Sequence, residues 1–135
     1  MIAIWKELTF STGGTVDFLE ITRALQEELS KVGIKNGEGI FFIPHTTAGL
    51  TINENADPDV VHDLKLSLER MVPDLPTFRH LEGNSCAHLK ASLMGFSLTV
   101  PVSQGRLALG RWQGIYLCEF DGPRHRRLLI NWRAD

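Results

Sequence analysis

The start of the chain alternates apolar and polar positions in the way that β-strands do. Residues 1–10 alternate loosely, and residues 15–21 form a second run that favours strand structure. Residues 11–14, Ser-Thr-Gly-Gly, lie between the two runs and are typical turn residues. The pattern therefore predicts an opening β-hairpin.

Three further segments show helical spacing or helical capping signals. In the first of them, apolar residues recur at i, i+4 and i+7, as on one face of an amphipathic helix. Short polar side chains favour the start of a helix, and glycine favours its end. We predict a first helix over residues 23–32, with Thr22 as its N-cap and Gly33 at its end. A second helix is predicted from Asp57 or Asp59 to about residue 71. A short third helix is predicted over residues 86–94, with Asn84 or Ser85 as its N-cap and Gly95 at its end.

The remaining apolar runs predict strands. Residues 40–43 are apolar on both faces and short, which suits a strand in the interior of a sheet, and Pro44 and His45 follow it. The other predicted strands are residues 48–53, 96–102, 106–112, 115–120 and 127–132, of which the last four suit an antiparallel sheet. We therefore predict an α+β fold, a single-domain sandwich over residues 1–135 with a mostly antiparallel, strand-rich sheet and two or three packed helices.

Composition narrows the classes of function. With 135 residues, of which 43% are hydrophobic, the chain can close a core without disulfides or a structural metal, so any bound metal is expected to be functional. The 14 Lys and Arg residues against 16 Asp and Glu residues give a net charge of -2, which does not suit a nucleic-acid partner. No apolar run approaches the roughly 20 residues of a membrane helix. The two cysteines lie far apart and the sequence opens on no export signal, so we expect a cytoplasmic protein without a membrane partner.

Histidine is the residue type on which a site is most readily predicted, because neutral imidazole binds zinc and similar metals and titrates near neutral pH. His45 follows the interior strand, while His80 and His88 are joined by a short segment that ends in the first turn of the third helix. Three histidines with one open position form a known catalytic zinc arrangement. The spacing alone leaves capping or surface roles open for all three, and His62 and His125 are expected to be solvent-exposed.

Other residues near these histidines can bind an anion or move a proton. Glu82 lies two residues from His80, and four roles are open for it. They are a metal ligand, a partner that fixes a histidine tautomer, a general base and a solvated loop acid. Anion binding is predicted for the hydroxyls of Thr46 and Thr47, the helix start at Asn84 and Ser85, and the guanidinium of Arg106 or Arg111. Roles outside the site are expected for Asp57 as a helix cap and for Arg124, Arg126 and Arg127 as a solvated basic face. Cys86 is expected to be a buried packing residue, with a metal-ligand or reactive-thiol role as the alternative.

Three blocks of sequence together resemble the YjbQ family of uncharacterised proteins, UPF0047. They are residues 45–54 (HTTAGLTINE), residues 80–84 with 87–90 (HLEGN and AHLK), and residues 105–115 with 119–124 (GRLALGRWQGI and EFDGPR). The resemblance implies a compact α+β sandwich that assembles as a homotrimer, with a metal, often zinc, near the family's histidines. It also implies the activity for which the family is labelled, secondary thiamine-phosphate synthase, which joins a pyrimidine diphosphate to a thiazole phosphate.

By position in these blocks, the resemblance assigns roles to individual residues. His45, His80 and His88 become the ligands of a divalent metal, with zinc favoured. The candidate pocket residues that it implies are Thr46, Asn53, Glu54, Glu82, Arg106 and Gln113. Among these we take Glu82 and Arg106 as catalytic. The others are taken as substrate-binding, together with Thr47, Asn84 and Ser85 from the anion-binding groups.

Two functions are consistent with this set of residues, and the alternative to both is a structural protein whose histidines only pack. The first is a metal-dependent enzyme acting on a small phosphorylated molecule, with thiamine-phosphate synthesis as the auxiliary activity that the resemblance implies. The second is a non-catalytic trimeric module that binds a metal and a phosphorylated ligand. The chain departs from the family pattern at Cys86, where a polar or acidic residue is expected, and at Arg111, where a threonine is usual. Neither departure removes a histidine.

Overall fold

The computed structural model describes residues 5–135 and has the α+β fold expected from the sequence pattern. Its elements, in chain order, are β1 (Lys6–Ser11), β2 (Asp17–Glu20), α1 (Thr22–Val32), β3 (Gly37–Phe42), β4 (Ala48–Glu54), α2 (Pro58–Met71), α3 (Ser85–Met94), β5 (Ser97–Ser103), β6 (Arg106–Leu107), β7 (Gln113–Glu119) and β8 (His125–Ala134). The predicted first strand begins in residues 1–4, which lie outside the described residues.

The strands form two sheets, and every pairing between them is antiparallel. The five-stranded sheet has the order β1-β8-β3-β5-β6, and the three-stranded sheet has the order β2-β7-β4. The predicted opening hairpin is therefore wrong, because β1 pairs with β8 and β2 pairs with β7. Turn residues mark where the chain bends, but the longer C-terminal strands supply the partners, and local spacing does not reveal a partner about a hundred residues away.

A shared apolar core holds the two sheets face to face. Along β7, Ile115 and Leu117 point toward the five-stranded sheet, while Tyr116 and Cys118 belong to a second apolar cluster with α3. Successive side chains of a strand point to opposite faces, so β7 is buried on both sides. Burying each large apolar side chain contributes about 1.5–3 kcal/mol. Strand β7 therefore stabilises the packing on both of its faces.

Helix α1 closes one side of the core with Leu25 and Leu29 and ends at Gly33, as predicted, where a φ of 72° suits glycine. The predicted N-cap is wrong, because Ile21 occupies that position and Thr22 begins the helix. The hydroxyl of Thr22 instead accepts from the amide of Ile115, which ties the start of α1 to β7.

The other two helices begin near the predicted residues. Asp57 caps α2 by accepting from the amide of Asp59, which confirms its role as a cap. Asn84 stands at the N-cap position of α3, but its side chain makes no cap bond. Gly49 of β4 allows α3 to approach closely, because a Cβ there would lie 2.8 Å from the Cβ of Met94. No helix within residues 5–135 is long and apolar enough to cross a membrane.

The predicted strand over residues 106–112 is wrong beyond its first two residues. β6 comprises Arg106–Leu107 alone. A tight turn follows, in which the side-chain oxygen of Gln113 accepts from the amide of Gly110 at 2.7 Å. The three glycines of this region, Gly105, Gly110 and Gly114, favour turns over a continuous strand.

Candidate functional site

The three histidines that the sequence singled out line one polar cavity of about 380 Å³ at one end of the sandwich. The chain crosses here from β3 in the five-stranded sheet to β4 in the three-stranded sheet, and this crossing carries His45. His80 lies in the turn segment between α2 and α3, and His88 lies in the first turn of α3. The residues that line the cavity are Pro44, His45, Thr46, Thr47, His80, Glu82, Asn84, His88, Asp121, Arg124 and Arg126.

The floor of the cavity consists of a buried ion pair between the two sheets, Glu119 with Arg126, together with the neutral side chain of Thr47. Glu119 of β7 is 0% exposed, and Arg126 of β8 is 4% exposed. The guanidinium of Arg126 donates two hydrogen bonds to Glu119 and a third, of 2.8 Å, to the hydroxyl of Thr47. This floor therefore fixes the crossing segment at its last residue before β4.

Glu119 is ionised despite its burial. Burial alone would raise the pKa of Glu119, but hydrogen bonds from Arg126, from the amide of Asp121 and from the hydroxyl of Thr12 outweigh it and hold that pKa below its usual range. These three donors together satisfy a carboxylate that is 0% exposed. The floor is thus a charged pair with its hydrogen bonds complete on both sides.

His45 is held by the main chain of the five-stranded sheet. Its Nε2 accepts a hydrogen bond of 2.9 Å from the amide of Arg127. Phe42, the last residue of β3, pairs with Leu129, two positions from Arg127 along β8. Amides two residues apart in a strand point to the same side, so the imidazole takes the place of the next acceptor that β3 would supply. Burial, followed by the positive charges of Arg126 and Arg127, lowers the pKa of His45.

His80 and His88 approach each other from the opposite side of the cavity. Their ring centroids lie 5.3 Å apart at an interplanar angle of 80°. An imidazole bound to zinc through nitrogen has its ring centroid about 3.2 Å from the ion, so two such rings at a tetrahedral angle lie about 5.2 Å apart. The same spacing also suits an edge-to-face contact between the two rings alone.

Glu82 is the carboxylate nearest to these two rings. One of its oxygens lies 4.0 Å from Nε2 of His80, and its side chain is 74% exposed. We call His80 and Glu82 the outer wall of the cavity. The outer wall is therefore open to solvent, unlike the floor.

Asp121 joins the start of α3 to the turn before β8. Its carboxylate accepts from the side-chain amide of Asn84 at 2.8 Å and from the guanidinium of Arg124 at 3.0 Å. The bond from Asn84, and then that from Arg124, hold the pKa of Asp121 low in spite of burial. The Oδ1 atom of Asn84 is buried and has no hydrogen-bond partner among the described residues. The Asn84 side chain therefore links the start of α3 to Asp121 and does not cap the helix.

The donor set was compared with the needs of a metal ion. The ring separation of His80 and His88 is compatible with a shared zinc ion. His45 has one nitrogen engaged by the Arg127 amide. Within residues 5–135, no group of three or more His, Cys, Asp or Glu side chains is arranged to hold a metal ion. Metal binding by the three histidines therefore stays a prediction.

Several residues assigned by the resemblance lie elsewhere. Asn53, Glu54 and Gln113 stand at the far end of the β4–β7 pair, where Asn53 accepts from the amide of Glu54 and the Glu54 carbonyl accepts from Tyr116. Arg106 is exposed on β6, and Ser85 begins α3 without lining the cavity. The structure therefore brings together the three histidines with Thr46, Thr47, Glu82 and Asn84, and leaves Asn53, Glu54, Ser85, Arg106 and Gln113 outside this cavity.

The two departures from the family pattern also lie outside the cavity lining. The guanidinium of Arg111 stacks on the ring of Trp112 at 4.9 Å. Cys86 is a partly exposed residue of α3, so the buried packing role expected for it is not what the structure shows. His62 and His125 are exposed, as predicted.

The interpretation of the arginine cluster as a solvated face is wrong for Arg126. Arg124 and Arg127 are exposed, but Arg126 is buried beneath the histidines. The alternation of β8 contains the signal that would have shown this, since Arg126 shares its face with Leu128 and Ile130 of the core. Glu119, likewise, shares the inward face of β7 with Ile115 and Leu117.

Comparison with known proteins gives one consistent result in sequence. Residues 6–135 match the family described as UPF0047 protein YjbQ-like. The UPF0047 protein YugU of Bacillus subtilis is 48% identical over 126 residues, which cover 93% of this chain and 96% of that protein. A UPF0047 protein of Archaeoglobus fulgidus is 40% identical over 126 residues, which cover 92% of this chain and 97% of that protein.

Solved structures agree with the sequence comparison. An uncharacterized conserved protein of the YjbQ/UPF0047 family from Clostridium acetobutylicum superposes with a TM-score of 0.91 at 44% identity, covering 95% of this chain and 99% of that one. A YbjQ-like protein of unknown function from Sulfolobus solfataricus superposes with a TM-score of 0.91 at 28% identity and 99% coverage of both chains. Sequence and fold therefore point to the same family.

Proposed function

The chain belongs to the YjbQ-like UPF0047 family, and we propose that its histidine cavity is the site of an enzyme that acts on a small phosphorylated molecule with the help of a divalent metal ion, preferably zinc. One observation supports this proposal above the others. Three histidines from separate segments meet around one polar cavity that also contains a carboxylate, Glu82, and two arginines, Arg124 and Arg126. Such convergence of titratable groups in a cavity is typical of catalytic sites.

The two sides of the cavity suit different parts of such a substrate complex. On one side, His80 and His88 supply two imidazoles for a metal ion, and Glu82 is the nearest carboxylate. On the other side, burial and then the charges of Arg126 and Arg127 lower the pKa of His45, so guanidinium groups lie near its ring. Guanidinium groups are common partners of phosphate.

The first reaction to test is thiamine-phosphate synthesis, which the family resemblance implies. Joining a pyrimidine diphosphate to a thiazole phosphate releases diphosphate, so negative charge builds up on the leaving group. The hydroxyls of Thr46 and Thr47 and the guanidinium of Arg124 line the cavity where such an anion would bind. A bound divalent metal would neutralise part of that charge. The bond to the thiazole nitrogen forms from its lone pair as the bond to diphosphate breaks, and we propose that Glu82 passes a proton to the departing diphosphate.

The decisive experiment compares the wild type with two histidine variants. The natively purified protein is analysed for its metal content and retained metabolites, and is then assayed for diphosphate release from the two phosphorylated precursors with and without zinc. We expect zinc-dependent turnover that His88→Ala abolishes and that His62→Ala, in an exposed histidine outside the cavity, leaves unchanged. A protein that neither binds zinc nor turns over phosphorylated substrates after zinc addition would contradict the proposal.

A second candidate function is a non-catalytic module that binds a phosphorylated ligand. The observation that favours it is the 74% exposure of the Glu82 side chain, since enzymes usually shield the group that transfers a proton from bulk water. The same preparation separates the two functions. Retained phosphorylated ligand without turnover supports the module, whereas turnover supports the enzyme.

We also propose that the chain assembles with copies of itself, in the homotrimer that the resemblance implies. Ile40, Phe42 and Leu129 lie on the face of the five-stranded sheet opposite to the core and are partly exposed, and the neighbouring Phe96 is 63% exposed. Contiguous exposed apolar residues favour an interface between proteins. Native mass spectrometry is expected to give three times the chain mass for the wild type and a smaller assembly for Phe96→Ser, and a monomeric wild type would contradict the trimer.

A further inference from the structure

The hydrogen bond to His45 decides what that imidazole can do. A neutral imidazole has one nitrogen that donates and one that accepts. Because Nε2 of His45 accepts from the amide of Arg127, the proton of the neutral ring must be on Nδ1. Nδ1 makes no hydrogen bond with any residue of the described range 5–135. Nδ1 is therefore a hydrogen-bond donor without an acceptor among the described residues.

Metal binding by His45 is unfavourable at either nitrogen. Binding through Nε2 would displace the amide of Arg127, and β3 supplies no acceptor in its place because its pairing with β8 ends at Phe42. Binding through Nδ1 would remove the only proton of the ring and require an anionic imidazolate. Among the described residues 5–135, no main-chain group makes a comparable bond to the ring of His80 or His88, and the ring separation of these two is compatible with a shared ion.

We therefore propose that His45 is a ligand-binding residue that donates a hydrogen bond from Nδ1 to an anionic phosphate oxygen, and that the metal ion is held without it. This inference rests on the proposed function, because it names the partner of one residue in the same cavity. It separates the three histidines into a metal pair, His80 and His88, and an anion donor.

The surroundings of His45 favour an anion as its partner. Burial comes first among the causes that lower its pKa, and the charges of Arg126 and Arg127 come next, ahead of the opposing charge of Glu119. A neutral imidazole N–H near guanidinium groups donates to an oxygen anion without carrying a charge of its own. The adjacent hydroxyl groups of Thr46 and Thr47 lie in the same cavity and offer further donors.

A direct test reads the tautomer in the wild-type protein. In uniformly ¹⁵N-labelled protein at neutral pH, the two ring nitrogens of each histidine are correlated with the carbon-bound ring protons by NMR, and His45 is assigned through His45→Gln. We expect the Nδ1–H tautomer for His45, unchanged when zinc is added, while nitrogen signals of His80 and His88 shift. An Nε2–H tautomer, or a shift of a His45 nitrogen to a metal-bound value, would overturn the inference.

A binding test uses the same variant. Inorganic phosphate and diphosphate are titrated by calorimetry, and zinc affinity is measured by competition with a coloured chelator, for the wild type, His45→Gln and His88→Ala. We expect His45→Gln, whose side-chain oxygen can accept from Arg127 but which lacks the Nδ1 donor, to bind the anions about tenfold or more weakly, the loss typical of one hydrogen bond to a charged group. Its zinc affinity should stay within about threefold, and His88→Ala should show the reverse pattern.

The outcomes keep this inference separate from the proposed function. If wild-type protein binds no zinc, the metal part of the proposed function fails, while the NMR tautomer and the anion titrations still judge His45. If His45→Gln loses zinc affinity as His88→Ala does, or binds the anions as well as the wild type, the role assigned to His45 is wrong. Failure of the wild type to bind either anion also overturns it.

Discussion

The floor and the outer wall of the histidine cavity are built in opposite ways. In the floor, Glu119 and Arg126 are almost completely buried, and their charged atoms are bonded to each other, to Thr47 and to Thr12. In the outer wall, the side chains of His80 and Glu82 are 41% and 74% exposed and lie 4.0 Å apart. The same cavity therefore has one side that belongs to the core of the sandwich and another that belongs to its surface.

Because of this difference, folding stability and ligand binding are expected to depend on different parts of the cavity. A buried pair costs several kcal/mol to break, because the remaining partner keeps its charge in a dry environment. An exposed pair contributes little, since water replaces the lost interaction. Substitutions in the floor are thus expected to act mainly on folding, and substitutions in the outer wall mainly on ligands.

The largest effect is expected for Arg126→Met, which leaves Glu119 buried and unpaired. We expect the free energy of unfolding to fall by about 3–5 kcal/mol. Arg127→Met is the matched control, because Arg127 lies next to Arg126 in β8 and forms an exposed pair with Glu7 at 3.1 Å. The control should lose at most about 1 kcal/mol. Urea unfolding followed by fluorescence measures both, and equal losses in the two variants would erase the distinction between floor and surface.

The Glu119–Arg126 pair could not be predicted from local sequence patterns, because it depends on a contact between two different sheets. A local signal marked each element that the sequence predicts well, such as the glycine at the end of α1, the Asp57 cap of α2 and the apolar run of β3. Glu119 and Arg126 meet because two strands in different sheets face each other across the core. Its charge and its position beside a turn led to the prediction that Arg126 is exposed. The alternation of β8, which places Arg126 on the same face as Leu128 and Ile130, indicated that it is buried.

The site itself was predictable in part for the same reason. His45, His80 and His88 could be singled out as residues, and the structure places all three at one cavity. The separate role proposed for His45 depends on the amide of Arg127, a main-chain group whose availability follows from where β3 ends in the sheet. Sequence patterns carry no information on which strand amide is left without a partner.

A second prediction uses pH to test the floor without a ligand. The pKa of Glu119 is held low in the folded protein, so the stability that it contributes is present above the ordinary glutamate pKa and is lost as pH falls through the folded value. The lowered pKa of His45 acts in the same direction, since the folded state favours its neutral form. Wild-type melting temperature should therefore fall steadily as the pH is lowered from neutral into the acid range.

Arg126→Met should change the sign of the Glu119 contribution. Without the guanidinium, burial raises the pKa of Glu119, and protonation then relieves an unpaired buried charge. The stability gap between the variant and the wild type should accordingly narrow as pH falls. Melting curves at a series of pH values measure the gap, and a gap that stays constant or widens would show that Glu119 is not the group left unpaired.

A third, smaller effect is expected for Thr47→Val, which removes one bond of the floor and keeps the shape of the side chain. The hydroxyl of Thr47 accepts from Arg126 at 2.8 Å and is buried. Loss of a hydrogen bond to a charged group should cost about 1.5–3 kcal/mol of unfolding free energy. Thr46→Val is the control, because Thr46 is exposed in the same crossing segment and should change stability by about 0.5 kcal/mol or less. Similar losses of unfolding free energy in both variants would contradict this, because they would show that the whole crossing segment, and not the contact with Arg126, determines the loss.

The smallest effect on folding is expected in the outer wall, where Glu82→Gln removes the carboxylate beside His80. Because that side chain is mostly exposed and the pair is separated by 4.0 Å, unfolding free energy should change by only about 0.5 kcal/mol or less. If the outer wall acts on ligands as proposed, the same variant should lose turnover or zinc affinity while its melting curve overlays that of the wild type. Thermal denaturation and a zinc titration on one preparation measure both quantities. A variant that melts markedly earlier would mean that the outer wall also supports the fold, and the contrast with the floor would not hold.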